Sequence, residues 1–184
     1  MLPLHTFLPG RLSLRPGIRA DYFALDRFHY RPGPPATWAA VWTITFTLQN
    51  EPTALPRPIA AAVLSYPCLN VPARTAALSL DKTNPSDRAA FVNAHVRTIS
   101  RVIVHPQFRS LGLAVLLARH AIAACPTRYV EALAQMGRAH PLFTLAGMRL
   151  QNEPTAAPDK PLYYLCDRER PTTEHTKSTE TRSP

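Results

Sequence analysis

Proline placement constrains this chain more than any other feature of its sequence. Twenty prolines are present, yet none falls within residues 36–51, 86–105, 107–125 or 127–140. Because proline lacks an N–H group and fixes its own φ angle, it disrupts helix interiors and central strands. We therefore expect regular secondary structure inside these four ranges, with turns and loops between them.

Side-chain patterns predict the type of each element. Apolar residues at helical spacing predict helices, and β-branched or alternating apolar runs predict strands. The predicted helices span residues 18–30, 86–95 (with Ser86 as N-cap), 111–124 and 139–146. The predicted strands span residues 37–48, 59–66, 98–105, 128–134 and 161–166. The order strand, loop, helix, strand over 98–134 predicts parallel neighbours attached to an antiparallel hairpin, hence an α/β fold with a mixed sheet.

Composition limits the class of protein. With 184 residues and 46% apolar residues, the chain fits one globular domain, predicted over 1–166, with a polar, disordered tail over 167–184. Three cysteines without a CxxC pair favour a reducing compartment. With no signal peptide and no membrane-length apolar run, we expect a cytoplasmic protein. The histidines show no HxxxH or HExxH spacing, so we predict no metal.

Net charge leaves two interpretations open. The chain carries 21 Lys and Arg against 12 Asp and Glu, for a formal charge of +9. Such a charge favours encounter with an anionic partner such as a polyphosphate or a nucleic acid. However, 18 of the 21 basic residues are arginine, a bias that genome composition alone could produce.

One loop is the strongest candidate for a binding site. Residues 34–136 contain a single glycine, Gly112, at the point where a predicted strand passes into a predicted helix. The start of a helix offers unpaired N–H groups and the positive end of its dipole. Small residues at Gly112 and Ala114 let an anion approach these groups, and Arg109 adds a cation. A simple turn glycine is the alternative. A P-loop is disfavoured, because GxxxxGK[ST] is absent.

Three segments resemble the GNAT superfamily of N-acetyltransferases. The loop matches the [QR]xxGx[GA] motif by which that family holds the CoA pyrophosphate; its residues are Arg109, Ser110, Leu111, Gly112, Leu113 and Ala114. The apolar run ending in His105-Pro106 resembles the central strand of the family, and residues 141–148 resemble its FYxxxGF segment. One departure is Ser110, where many members carry glycine.

The resemblance implies a fold, a co-substrate and its pose. The fold would be a mixed, mostly antiparallel central sheet with helices on both faces. Acetyl-CoA would be the co-substrate, with its pantetheine arm paired to backbone at Ile103 and Val104. The strand at 129–132 would diverge from that arm, and the acceptor would enter the resulting gap.

A narrower resemblance concerns the acceptor. Residues 28–31, 97–101 and 130–137 are similar to a little-described GNAT branch that occurs alone or fused to ABC-type ATPase domains. That branch is distantly similar to Mom-type bacteriophage acyltransferases, which modify adenine in DNA. The resemblance therefore implies an ABC-type ATPase as a partner and a nucleic acid as an alternative acceptor.

The catalytic residues are harder to assign. Phe143 stands where many GNAT enzymes place a tyrosine that protonates the leaving thiolate. The candidate helpers are Glu131, His29 and Tyr30. Glu131 interrupts an apolar strand, so it is either functional or paired with Arg97 or Arg101. For His29 and Tyr30, the alternative to catalysis is a place at the end of a helix.

Three functions remain in view. The first is acetyl-CoA-dependent acylation of an amine on a small molecule or a protein. The second is acylation of a nucleobase in DNA or RNA. The third is a non-catalytic module that binds acyl-CoA, which Phe143 would favour. The sequence leaves the acyl group and the oligomeric state open.

Overall fold

The structure is a computed structural model that describes residues 10–31, 33–48, 55–151 and 160–170. Most of the predicted loop over 50–58 and the tail beyond Arg170 lie outside these residues. None of the helices in the described ranges is long and apolar enough to cross a membrane.

Within the described residues, seven strands form one sheet. They are β1 (Gly10–Pro16), β2 (Ala40–Leu48), β3 (Arg57–Ser65), β4 (Val96–Val104), β5 (Tyr129–Ala134), β6 (Arg149–Leu150) and β7 (Leu162–Asp167). Their order across the sheet is β1-β2-β3-β4-β5-β7-β6. Only the β4/β5 pair is parallel, and every other neighbouring pair is antiparallel. The predicted mixed, mostly antiparallel sheet is confirmed.

Five α-helices connect the strands. They are α1 (Arg19–Phe23), α2 (Pro72–Ala77), α3 (Pro85–His95), α4 (Leu113–Ala123) and α5 (Leu142–Leu145). Short 3₁₀ turns cover Asp26–Phe28 and Pro106–Phe108.

Strand β3 shows why helices cover both faces of the sheet. Successive strand side chains point to opposite faces. Ala60 and Ala62 pack with Leu113 and Leu117 of α4, whereas Ala61 and Val63 pack with the cluster around Tyr22 of α1; all are buried. From Ile59 to Leu64 the strand is thus apolar at every position because neither face meets water there.

The predicted helix over 18–30 is wrong in extent. It is divided into the short α1 and the 3₁₀ turn Asp26–Phe28. Tyr22, Leu25 and Phe28 recur every third residue and pack into one cluster. Three-residue spacing aligns side chains on a 3₁₀ turn, so the same residues satisfy the core without a continuous α-helix.

Two helix starts also differ from prediction. The N-cap of α3 is Asn84 rather than Ser86, because the Asn84 side chain accepts a hydrogen bond from Asp87 N at 2.9 Å and Pro85 occupies the first turn. The helix predicted over 139–146 begins only after Pro141. Proline favours a helix start, where its missing N–H needs no partner.

Several elements escaped prediction. Strand β1 was not predicted because it precedes the first proline-free range. Strand β6 has only two residues, and helix α2 begins at a proline, so neither gave a clear pattern. At the other end, β7 runs through Asp167, and the Arg168 guanidinium donates to the carbonyls of Thr127 (3.0 Å) and Ala123 (2.9 Å). Residues 168–170 thus follow the strand, and the remainder of the predicted tail lies outside the described residues.

Candidate active site

Strands β4 and β5 separate part of the way along the sheet. They pair at Val96–Tyr129, at Arg97–Val130 and finally at Thr98–Glu131. Beyond that point β4 continues to Val104 bonded only to β3, and β5 continues to Ala134 bonded only to β7. The edge of β4 that faces β5 therefore has no strand partner over 99–104 within the described residues.

A cleft of about 680 Å³ fills this gap. One wall is β4 from Ile99 to Val104, and the other consists of residues 133–137 with α5. Residues 28–30 line one part of the cleft, and the loop before α4 lines another. Ile103 and Val104 are among the residues that line the cleft, and the Ile103 side chain is buried in the core.

The loop before α4 has the geometry that an anion site requires. Gly112 is the N-cap of α4, with φ of 75°, and its side-chain-free Cα faces open space: a Cβ there would meet no atom within 4 Å. No side chain caps the first N–H groups of α4 within the described residues. These N–H groups have no intrahelical acceptor, so an anion beside Gly112 could accept hydrogen bonds from them.

Arg109 joins this loop to two other parts of the cleft. Its Nε donates to the Val104 carbonyl at 3.3 Å, and its Nη2 donates to the Phe28 carbonyl at 3.3 Å. The exposed guanidinium thus fixes the end of β4 and the 28–30 segment relative to the loop. Its positive charge also remains beside the anion site.

Ser110 adopts the left-handed conformation, with φ of 64°. Glycine would enter this region without steric cost. We expect Ser110→Gly to leave the free energy of unfolding nearly unchanged. We expect Ser110→Val to lower it by about 1–2 kcal/mol, because β-branched residues resist this conformation. Urea denaturation measures both. Equal stability of the two variants would contradict the backbone assignment, since Ser110 is exposed.

Glu131 lies in a saturated, buried network. Its carboxylate accepts two hydrogen bonds from Arg74, at 2.7 Å from Nε and 2.6 Å from Nη2. It also accepts from the hydroxyls of Thr98 at 2.7 Å and Tyr163 at 3.0 Å. Burial and the adjacent Glu131 charge raise the pKa of Tyr163, so this hydroxyl remains a donor. With four donors around it, the carboxylate has no lone pair directed at the cleft. Glu131 is also not among the residues that line the cleft.

The predicted ion-pair partners of Glu131 were wrong. Arg97 stacks 4.5 Å from the Tyr66 ring centroid and donates to the Asn93 and Val96 carbonyls. Arg101 lines the cleft instead. The partner, Arg74, comes from α2, the helix that the sequence did not reveal. Distance along the chain separates Arg74 from Glu131, and only the fold brings them together.

His29 and Tyr30 both line the cleft, as a catalytic role would require. Their rings lie 4.5 Å apart, and His29 Nδ1 lies 2.9 Å from the Arg31 carbonyl oxygen and 3.1 Å from Arg31 N. Burial lowers the pKa of His29, and the positive charges of Arg101 and Arg31 lower it further against the raising effect of the Arg31 hydrogen bond. His29 is therefore neutral at pH 7 and can accept a proton.

Phe143 occupies the wall opposite β4. Its ring lies 5.5 Å from that of Tyr164. Four polar residues that the sequence did not single out as site residues also line the cleft: Ser100, Arg101, Gln135 and His140. Only the position of His140 directly before Pro141, in the segment compared with FYxxxGF, could have indicated it. Among the described residues, no group of three His, Cys, Asp or Glu side chains could hold a metal ion.

Comparison with known proteins identifies the fold. No protein-family model and no curated protein matches the sequence. Among solved structures, the NatC complex bound to Gag peptide and CoA superposes with a TM-score of 0.53 at 12% identity, covering 85% of this chain and 98% of that one. Ard1 from Thermoplasma volcanium gives a TM-score of 0.50 at 9% identity, with 85% and 97% covered. At these identities the similarity demonstrates a shared fold.

Proposed function

Because this chain has the fold of the GNAT acetyltransferases, we propose that it is a CoA-dependent acyltransferase that uses acetyl-CoA and an amine acceptor. The observation that carries the proposal is the cleft between the diverging strands β4 and β5, which leads to the anion site at Gly112. The NatC structure, which shares the fold, holds CoA and a peptide, and this supports the proposal.

The residues of the cleft suit acetyl-CoA. The first N–H groups of α4 and the Arg109 guanidinium would hold its diphosphate, with Gly112 leaving space for the close approach. The unpaired edge of β4 would hold the pantetheine arm through backbone groups. When bound, acetyl-CoA supplies a thioester carbonyl whose C–S bond breaks as the amine nitrogen forms the new amide bond.

His29 is the residue we assign to proton transfer. This role requires the tautomer in which Nδ1–H donates to the Arg31 carbonyl instead of accepting from Arg31 N. Nε2 then carries the lone pair and can take the proton that the amine loses. No tyrosine acid is needed at Phe143, because a thiol of pKa about 8.5 is a fair leaving group near neutral pH. Tyr30 packs on the His29 ring and restricts its orientation.

Titration of His29 predicts the pH dependence of the rate. Its pKa is lowered from 6.5, so the neutral base is fully present above about pH 6.5 and is lost as the pH falls through the lower, folded-state value. We expect kcat/KM for acetyl transfer to a weakly basic amine, whose own pKa lies below that of His29 so that it stays neutral over this range, to show this acidic limb. We expect His29→Gln to remove the limb and to reduce kcat/KM about 100-fold.

The matched control for this experiment is His140→Gln, since His140 lines the same cleft without an assigned role in proton transfer. It should retain the acidic limb. A limb that persists in His29→Gln would contradict the assignment of the base. Tight binding of acetyl-CoA without release of free CoA thiol for any amine would favour the non-catalytic alternative.

A further inference from the structure

Arg101 is held in an unusual position on β4. The register of β3 against β4 passes from Val63–Arg101 to Leu64–Ile99, so Ser100 is an extra residue in a β-bulge. The Arg101 guanidinium donates from Nη1 to the Ser100 carbonyl at 2.8 Å. Its Nε is buried and has no acceptor within the described part of the chain. Because a buried Nε is closed to an outside ligand, the part of the guanidinium that a ligand could reach is the part that lines the cleft.

The cleft around Arg101 contains no opposing charge. Its lining includes Arg101, Arg109 and His29 but no Asp or Glu among the described residues. The ion pairs of the described residues use other arginines, namely Arg15, Arg74 and Arg128. A polycationic acceptor such as a polyamine would therefore meet repulsion in this cleft, whereas an anionic acceptor would be attracted.

The position along β4 separates Arg101 from the diphosphate site. Arg101 precedes Val104 by three residues, which in a strand is about 10 Å. It lies towards the point where β4 and β5 part after Thr98–Glu131. It also lies close enough to His29 to lower the pKa of that residue. Arg101 is thus at the end of the cleft where the base and the acceptor amine would meet.

We infer that Arg101 determines acceptor specificity, and that the acceptor is an amine whose own carboxylate or phosphate binds the Arg101 guanidinium. The inference rests on the proposed function. Both anions present oxygen pairs that match the geometry of a guanidinium. The negative charge of the acceptor would offset the positive field that Arg101 and Arg31 produce at this end of the cleft.

Matched pairs of amines test this inference. The full chain is assayed with acetyl-CoA and 2-aminoethyl phosphate against ethanolamine, β-alanine against β-alaninamide, and spermidine as a cationic acceptor. We expect kcat/KM to favour at least one anionic member over its neutral partner by about 10–100-fold. The pair that shows the preference distinguishes phosphate from carboxylate.

Variants at two positions of β4 complete the test. Arg101→Gln should abolish the preference while leaving the Kd of acetyl-CoA, measured by calorimetry, unchanged. Arg101→Lys should restore part of the preference, because lysine keeps the charge without the planar pair of donors. Arg97→Gln is the control, since Arg97 lies on the same strand but does not line the cleft, and it should retain the preference.

Each other outcome overturns the inference. A preference for spermidine, or a preference for anionic amines that survives in Arg101→Gln, would exclude this role for Arg101. Weaker acetyl-CoA binding by Arg101→Gln would assign the guanidinium to the co-substrate. A wild type that binds acetyl-CoA yet acetylates no anionic amine would refute the acceptor class. A wild type that binds no acetyl-CoA would refute the proposed function itself, and the calorimetry identifies that case separately.

Discussion

Replacing Gly112 by glutamate is expected to weaken acetyl-CoA binding at least about 100-fold, because two charge-assisted hydrogen bonds to the diphosphate would be lost. The new side chain would project into the open space beside the first N–H groups of α4, where we propose that the diphosphate lies. Its carboxylate would take those donors and repel the phosphates. Calorimetric titration of acetyl-CoA into wild type and variant measures the effect.

Gly147→Glu is the matched control for the Gly112 variant. Gly147 also has a positive φ, of 92°, and open space around its Cα, but it does not line the cleft. Both variants incur the backbone cost of a side chain in this conformation, about 1–2 kcal/mol, so both lose similar stability. Only Gly112→Glu should lose binding. Equal affinity of the two variants for acetyl-CoA would refute the assignment of the diphosphate site.

Replacing Glu131 by alanine is expected to lower the free energy of unfolding by about 3–5 kcal/mol, the cost of leaving a buried charge unpaired. Arg74 is 1% exposed and would lose both of its hydrogen bonds to the carboxylate. Thr98 and Tyr163 would lose their acceptor as well. Urea denaturation followed by circular dichroism measures the change, which is a large fraction of the stability of a typical domain.

An exposed ion pair provides the comparison. Arg15 is 41% exposed and pairs with Asp21. Arg15→Gln removes this ion pair, but Asp21 keeps its hydrogen bonds from Ile18 N and Thr43. This substitution should lower the free energy of unfolding by at most about 1 kcal/mol. The double variant Arg74→Leu with Glu131→Leu should be more stable than Glu131→Ala, because no unpaired charge remains. A Glu131→Ala variant no less stable than Arg15→Gln would contradict this interpretation.

The same network explains how the cleft keeps its shape. Thr98 and Glu131 form the last pair between β4 and β5, and their side chains are hydrogen-bonded to each other at that position. Arg74 connects this pair to α2 and, through Nη1, to the Cys68 carbonyl at 2.7 Å. The strands therefore diverge from a fixed point. We therefore infer a structural role for Glu131, whereas the catalytic role is the one that we propose for His29.

Local signals in the sequence determined the central elements and pointed to the proposed anion site. The proline-free ranges contained β2, β4, α4, β5 and all of α3 except its first residue, Pro85. The lone glycine between strand and helix indicated where a helix begins with open N–H groups, because only local backbone geometry is needed for that prediction. The regions that were mispredicted, residues 18–30 and 139–146, are those where short turns satisfy the same apolar spacing as a helix.

Contacts between distant segments were decided by the tertiary structure alone. The sequence showed that Glu131 was either functional or paired, but 57 residues separate it from Arg74, and no local pattern connects the two. The sequence also allowed Arg101 as the partner of Glu131. In the fold, however, Arg101 follows the β-bulge at Ser100 and lines the cleft, as His29 does. The hydrophobic periodicity of a sequence predicts which face of its own helix or strand a side chain lies on. The neighbour that it meets depends on how the sheet is ordered and where its strands part.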